Sequence, residues 1–122
     1  PFRTADTIRR GAALFAENHG RQPVVSVSPA PSHPAWCFRT TPGGMEPFLG
    51  WEAIGRRSQD LEPAWALNGA LYLIAPTRLR EDRRFLTPDT RPLVMDDPYE
   101  AIDIDTPEDW ALAEARLPRE AA

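Results

Sequence analysis

The stretch Tyr99-Glu100-Ala101-Ile102-Asp103-Ile104-Asp105-Thr106-Pro107-Glu108-Asp109-Trp110 holds two kinds of local order. Ile102 and Ile104 alternate with Asp103 and Asp105, the period of an extended strand whose successive side chains face opposite ways. Both isoleucines are expected to enter a core while both aspartates leave the other face together, their Cα atoms roughly 6.5 Å apart. A helix is expected to follow at once, with Thr106 as N-cap, Pro107 as its first residue and Asp109 as the carboxylate at N3. Two readings of the aspartates stand open. They can serve one ion, and paired oxygen anions suit Mg²⁺, which keeps several waters and takes substrate phosphates. Or they are solvated acids favoured by the dipole of the helix that follows.

The rest of the chain bounds these readings. At 122 residues it suffices for one domain with one modest core. Hydrophobic content of 42%, with four Trp and five Phe, argues for a packed interior rather than disorder. A net charge of −4 argues against a nucleic-acid or anionic-membrane surface, which needs clustered basic groups. Cys37 is the single cysteine, so no internal disulfide and no thiolate metal cluster is expected; between Trp36 and Phe38 it reads as a small buried hydrophobe. No stretch approaches the ~20 apolar residues of a membrane span, and no signal-peptide core is evident. The default expectation is a soluble, cytoplasmic protein.

Thr4 is expected to cap a helix running to about Asn18, with Ile8, Ala12, Leu14 and Phe15 as its apolar stripe and His19-Gly20 as its stop. Residues 23–27 read as a short buried strand. A helix feeding an apolar strand suggests α/β architecture with parallel pairing. Residues 35–39 suggest a further strand and Pro42-Gly43-Gly44 a turn, whereas residues 46–62 show little periodicity. Residues 69–74 are the best candidate for a central strand, residues 77–85 for a short basic helix and residues 91–95 for another strand. Trp110, Leu112, Ala113 and Leu117 are expected to face inward from the last helix.

Taken in order, five segments resemble successive motifs of one family. They are Pro1-Phe2-Arg3-Thr4-Ala5-Asp6-Thr7-Ile8; Val24-Val25-Ser26-Val27 with His33-Pro34; Arg57-Ser58-Gln59-Asp60-Leu61; Asn68-Gly69-Ala70-Leu71-Tyr72-Leu73; and Ile102 to Trp110. The family is the acylneuraminate cytidylyltransferases, which make CMP-activated sialic acids and related nine-carbon acidic sugars from CTP. The resemblance implies an α/β fold: a partial nucleotide-diphospho-sugar-transferase-like (Rossmann-like) sheet with helices, plus a dimerisation arm over residues 35–65. It implies that residues 1–122 are the C-terminal portion of a cytidylyltransferase domain. The glycine-rich turn that would hold CTP phosphates is not found, so the N-terminal CTP-binding part is expected to be absent.

The same resemblance implies a CMP-sugar synthetase acting on CTP and a nonulosonic (sialic-acid-like) sugar acid, as a homodimer with Mg²⁺. Asp103 and Asp105 correspond to the family's catalytic metal-binding pair. Arg57 and Gln59 correspond to its contacts with the sugar acid, although the spacing leaves Arg56 open as well; a guanidinium fork suits a carboxylate. Asn68 and Tyr72 correspond to the sugar pocket, and Phe85 to an aromatic against the N-acyl group. Each has a plainer reading: Asn68-Gly69 as a turn, Tyr72 and Phe85 as core, the arginines as solvated loop charges, His33 as a loop residue. Arg3 suits either the pocket or the helix start. Where sialic acid enzymes place a lysine shortly after the His-Pro pair, Trp36 and Cys37 stand here. That departure leaves the exact sugar open, and the Arg-Ser-Gln-Asp-Leu wording leans toward bacterial pseudaminate- or legionaminate-type relatives rather than sialic acid itself. Two rivals share these features: a non-catalytic oligomerisation or sugar-binding remnant, and a cytidylyltransferase for a shorter 3-deoxy sugar acid.

Overall fold

The β-branched run Val24-Val25-Ser26-Val27 suits a pleated, covered surface, and it forms the most buried strand, β1 (Val24–Pro29). The computed structural model describes residues 2–117, so Pro1 of the opening motif and residues 118–122 lie outside the described residues. Two compact units are formed, residues 29–66 being one and the described residues on either side of them the other.

In the sheet β1 lies between β4 (Trp65–Leu73), which belongs to the larger unit from Leu67 on, and β5 (Arg91–Val94). β1 and β5 run parallel, with Val24 opposite Arg91 and Val27 opposite Val94. The architecture is thus α/β with a mixed sheet. The expected centre was residues 69–74, yet β4 is an edge of this sheet and β1 its middle. The reason lies in burial: β1 has a continuous covered run, as a strand sandwiched on both faces needs, whereas β4 alternates between exposed and half-buried positions. Val24, Val25, Val27, Leu93 and Met95 make the core of this unit.

Helix α1 (Ala5–Ala16) begins where expected, Thr4 Oγ1 accepting the N–H of Thr7 at 3.2 Å. Its buried face differs from the expected stripe. Thr7 and Gly11 are buried, while Ile8 is 55% exposed and Ala12 is exposed. Gly11 explains the rotation: a Cβ there would collide with Leu71 Cδ2 and lie 3.3 Å from Leu93 Cδ2, so the bare backbone seats the helix on the sheet. His19 and Gly20 follow, both left-handed, and Gly20 donates its N–H to Phe15 O at 2.9 Å.

The basic helix α3 (Pro76–Asp82) stops earlier than its composition suggests, because Arg83 takes a left-handed φ of 50°. Phe85 therefore falls in the following loop. Residues 102–105 form no strand, contrary to the expectation, because they pair with none; the alternation survives as half-buried isoleucines and exposed aspartates. Helix α4 (Pro107–Arg116) starts with the expected reciprocal capping by Thr106 and Asp109. Of its four expected inward residues, Ala113 alone is buried; Trp110 and Leu117 are each 56% exposed, and Leu112 47%. Phe2, Ile104, Trp110, Ala113 and Leu117 instead line an open apolar groove of about 190 Å³.

The smaller unit begins with a 3₁₀ turn (Pro34–Trp36), where a strand was expected, because His33 Nδ1 accepts the Ala35 N–H and Pro34 opens the turn. The strand starts later. β2 (Phe38–Thr41) and β3 (Gly44–Pro47) form an antiparallel hairpin about Pro42-Gly43. A single helical turn, α2 (Trp51–Ile54), and a second 3₁₀ turn (Ser58–Asp60) complete it. Trp36, Trp51 and Trp65 all belong to this unit, as does Cys37, which is half-buried with Sγ 3.6 Å from His33 O. Among the described residues no helix is long and apolar enough to cross a membrane.

Candidate active site

In β4, Gly69 adopts a left-handed φ of 69°, the conformation of a glycine bulge rather than the turn that is the plainer reading of Asn68-Gly69. The bulge is held by side chains. Ser26 in β1 accepts the Leu71 N–H at 2.7 Å and donates to Asn68 Oδ1 at 2.5 Å. Asn68 Oδ1 also accepts the Ala70 N–H at 3.1 Å, and Asn68 Nδ2 donates to Ser28 Oγ at 2.7 Å and to Met95 Sδ at 3.3 Å. Both amide donors and both acceptor lone pairs of Asn68 are thereby engaged inside the unit.

The bulge lies beside Asp103: a Cβ built on Gly69 would stand 3.7 Å from Asp103 Oδ2, an ordinary contact distance. Asp103 Oδ1 accepts the N–H of Ile104 at 3.2 Å. The segment bearing Asp103 and Asp105 is tied at both ends. Downstream, Asp109 Oδ2 accepts from Asp105 N (3.2 Å), Thr106 N (2.9 Å) and Thr106 Oγ1 (2.8 Å). These bonds, the Thr106 side chain foremost, hold the Asp109 carboxyl below the usual carboxylate range. Upstream, buried Glu100 accepts the Thr4 N–H at 3.2 Å and the Thr7 hydroxyl proton. The hydroxyls of Thr4 and Thr7 likewise depress its pKa.

The acids of this stretch thus divide into two sets. Glu100 and Asp109 are taken up by backbone and hydroxyl donors, while Asp103 and Asp105 face solvent. Among the described residues no three His, Cys, Asp or Glu side chains converge on one point. A pair of exposed carboxylates is a donor set that fits Mg²⁺, which is commonly held by one or two carboxylates plus water and phosphate oxygens.

Tyr72 and Phe85 meet edge to face, their ring centroids 5.4 Å apart, and neither is core: they are 37% and 39% exposed. The loop carrying Phe85 is clasped by Arg78. Its Nη1 and Nη2 hold both oxygens of Asp89 at 3.0 Å, its Nε holds Asp82 at 2.5 Å, and Nη1 also donates to Arg21 O. Thr87 Oγ1 donates to Asp89 at 2.7 Å, and Thr90 Oγ1 reaches Phe85 O at 3.4 Å. The Arg78 guanidinium, with Thr87, holds the Asp89 carboxyl at about 2, against an ordinary 3.8.

Arg57 and Gln59 belong to the smaller unit, exposed at the 3₁₀ turn that Arg57 precedes. Arg56, rather than Arg57, lines a groove of about 370 Å³ there, with His33, Leu61, Glu62 and Pro63 among its other walls. His33 is structurally satisfied: Nδ1 accepts from Ala35 N, which makes Nε2–H the donor to Glu62 O at 3.0 Å. Sequence reasoning passed over Glu100, although a signal was there: it shares the even parity of Ile102 and Ile104, the inward side of the alternation. Ser26, placed 42 residues from Asn68, gave none.

No protein-family model matches the chain. The chain is 37% identical over 122 residues to the CMP-N,N'-diacetyllegionaminic acid synthase of Legionella pneumophila, an alignment that covers 93% of this chain and 48% of that protein. That protein is a CMP-nonulosonic acid synthetase, and this chain is similar to part of it. The resemblance carried by the five motifs is thus supported by aligned sequence along nearly all of the chain. It spans about half the length of the synthetase it matches.

Proposed function

We propose that the protein formed with this chain is a cytidylyltransferase that joins CMP from CTP to a nonulosonic sugar acid. The carrying observation is the 37% identity to a CMP-nonulosonic acid synthase. The exposed carboxylate pair Asp103 and Asp105 adds a local reason. The anomeric hydroxyl oxygen of the sugar acid attacks the α-phosphorus of CTP, the bond to the β-phosphate oxygen breaks, and pyrophosphate leaves while the hydroxyl proton passes to solvent. Such transfer depends chiefly on positioning and charge neutralisation. Mg²⁺ held by Asp103 and Asp105 supplies that neutralisation when bound.

Within this reading Arg57 or Arg56, with Gln59, meets the sugar carboxylate, a role a guanidinium fork suits. Tyr72 and Phe85 offer their half-exposed faces to the N-acyl group. Asn68 serves through Gly69, whose bulge it holds. The chain corresponds to the C-terminal portion of a Rossmann-like cytidylyltransferase domain, acts in the cytoplasm, and dimerises through residues 35–65. The unit formed by residues 29–66 accommodates such an arm.

The test is pyrophosphate release from CTP with N,N'-diacetyllegionaminic acid, a sialic acid and a shorter 3-deoxy sugar acid, with and without Mg²⁺. The expected result is Mg²⁺-dependent turnover on a nine-carbon acid, falling about 100-fold in Asp103→Asn. Release with the shorter acid alone would replace the substrate class. Binding of a nonulosonic acid without turnover in any assembly containing the chain would favour a sugar-binding remnant.

A further inference from the structure

Helix α1 has an N-cap threonine but lacks the Glu or Gln at N3 that would return to the cap's own N–H; Thr7 occupies N3. The missing carboxylate comes from far along the chain. Glu100, 96 residues from Thr4, accepts the Thr4 N–H with Oε1 and the Thr7 hydroxyl with Oε2. It is 7% exposed, and each of its carboxylate oxygens accepts from the first turn of α1. The turn at residues 98–101 is closed by Ile102 N–H to Tyr99 O at 3.2 Å, and Asp103 follows directly.

We infer that Glu100 is a positioning residue: it anchors the Asp103/Asp105 segment to the start of α1 and so sets where the two exposed carboxylates stand. The inference rests on the reading of those aspartates as the metal-holding pair. Three observations support it. A buried carboxylate with two donors from another element is costly to leave half-satisfied, so its geometry is strongly determined. Only Ala101 and Ile102 separate it from Asp103. The other end of the segment is fixed by Asp109 through the Asp105 and Thr106 N–H groups. Residues 101–105 are thus a short span between two fixed ends. Metal-supporting residues of this kind typically change affinity by about 10- to 100-fold when altered.

The chain is compared with Glu100→Gln, which keeps the size but turns one acceptor into a donor, and with Arg78→Lys as a remote control in the same unit. Amide hydrogen exchange and Mn²⁺ affinity, the latter followed by the EPR signal of the free ion, are read on each. Expected in Glu100→Gln are faster exchange at residues 101–106 and at the start of α1, unchanged exchange in β5, and a Mn²⁺ Kd raised about tenfold; Arg78→Lys leaves the Kd unchanged. Unaltered exchange at 101–106 overturns the inference, and so does faster exchange with an unaltered Kd. If Glu100→Gln fails to fold, Thr7→Val replaces it and Thr7→Ser, which keeps the donor, restores the parent values. Should the parent chain bind no Mn²⁺, the metal reading of Asp103 and Asp105 falls. Exchange alone then decides whether Glu100 anchors the segment.

Discussion

Leu71 donates its backbone N–H to the side-chain oxygen of Ser26, at 2.7 Å, where a neighbouring strand would ordinarily offer a carbonyl. The bulge at Gly69 creates this need, and a hydroxyl that is 0% exposed meets it. Ser26→Ala leaves Leu71 N–H and Asn68 Oδ1 short of a partner in a half-buried place. The expected loss is about 1–3 kcal/mol of unfolding free energy, measured by urea titration under far-UV circular dichroism.

Gly69→Ala tests the bulge itself. The added methyl would only touch Asp103 Oδ2 at ordinary contact distance, so the cost comes from the left-handed backbone. The expected destabilisation is about 1–2 kcal/mol. Gly69→Asn should lose less, because asparagine tolerates that conformation. Equal losses in the two variants would show that contact, not backbone, decides.

Acid should weaken the fold in a defined window. Asp89, Glu100 and Asp109 all have folded pKa values below their ordinary ones. Their contribution is therefore complete above those ordinary values, 3.8 to 4.5, and is lost as pH falls toward about 2, the folded value of Asp89. Thermal midpoints are expected to drop steadily from pH 5 to about 2. Asp89→Asn should flatten the curve below pH 4, and an unchanged slope would remove Asp89 as a contributor.

The Tyr72–Phe85 pair should show coupling. A double-mutant cycle with Tyr72→Leu and Phe85→Leu is expected to return about 0.5–1 kcal/mol, the lower range for an edge-to-face pair, since both rings are partly solvated. Zero coupling would mean that the rings part in solution.

What the sequence disclosed and what it withheld follow from the range of the interactions concerned. Thr106, Pro107 and Asp109 act within four residues, so their capping was legible, as was the alternation of residues 102–105. That no strand pairs with that segment was not, since pairing depends on a distant partner. The outward turn of Ile8 was hidden because periodicity registers side chains, whereas Gly11 seats α1 through lacking one. Trp110, Leu112 and Leu117 read as inward from hydrophobicity alone, yet each is about half exposed, Trp110 and Leu117 on the groove beside Phe2 and Ile104. Residues 46–62 gave no pattern because they form single turns and a short strand, each too brief to show a period. At the candidate site, the motif residues Asp103 and Tyr72 could be named in advance. Glu100 and Ser26 act across 96 and 45 residues to Thr4 and Leu71, beyond what local spacing can express.

Trp36, Trp51 and Trp65 share the unit made by residues 29–66, and Trp110 is the single indole outside it. Intrinsic fluorescence is consequently a lopsided reporter: most of its signal comes from a part of the chain that contains neither Asp103 nor the Ser26–Asn68 network. Unfolding traces at 350 nm, even well fitted ones, would describe mainly the smaller unit. A Trp110→Phe variant leaves only the smaller unit's indoles, so the difference between its trace and the parent's isolates Trp110 and with it the larger unit, while a dye on Cys37 labels the smaller one alone.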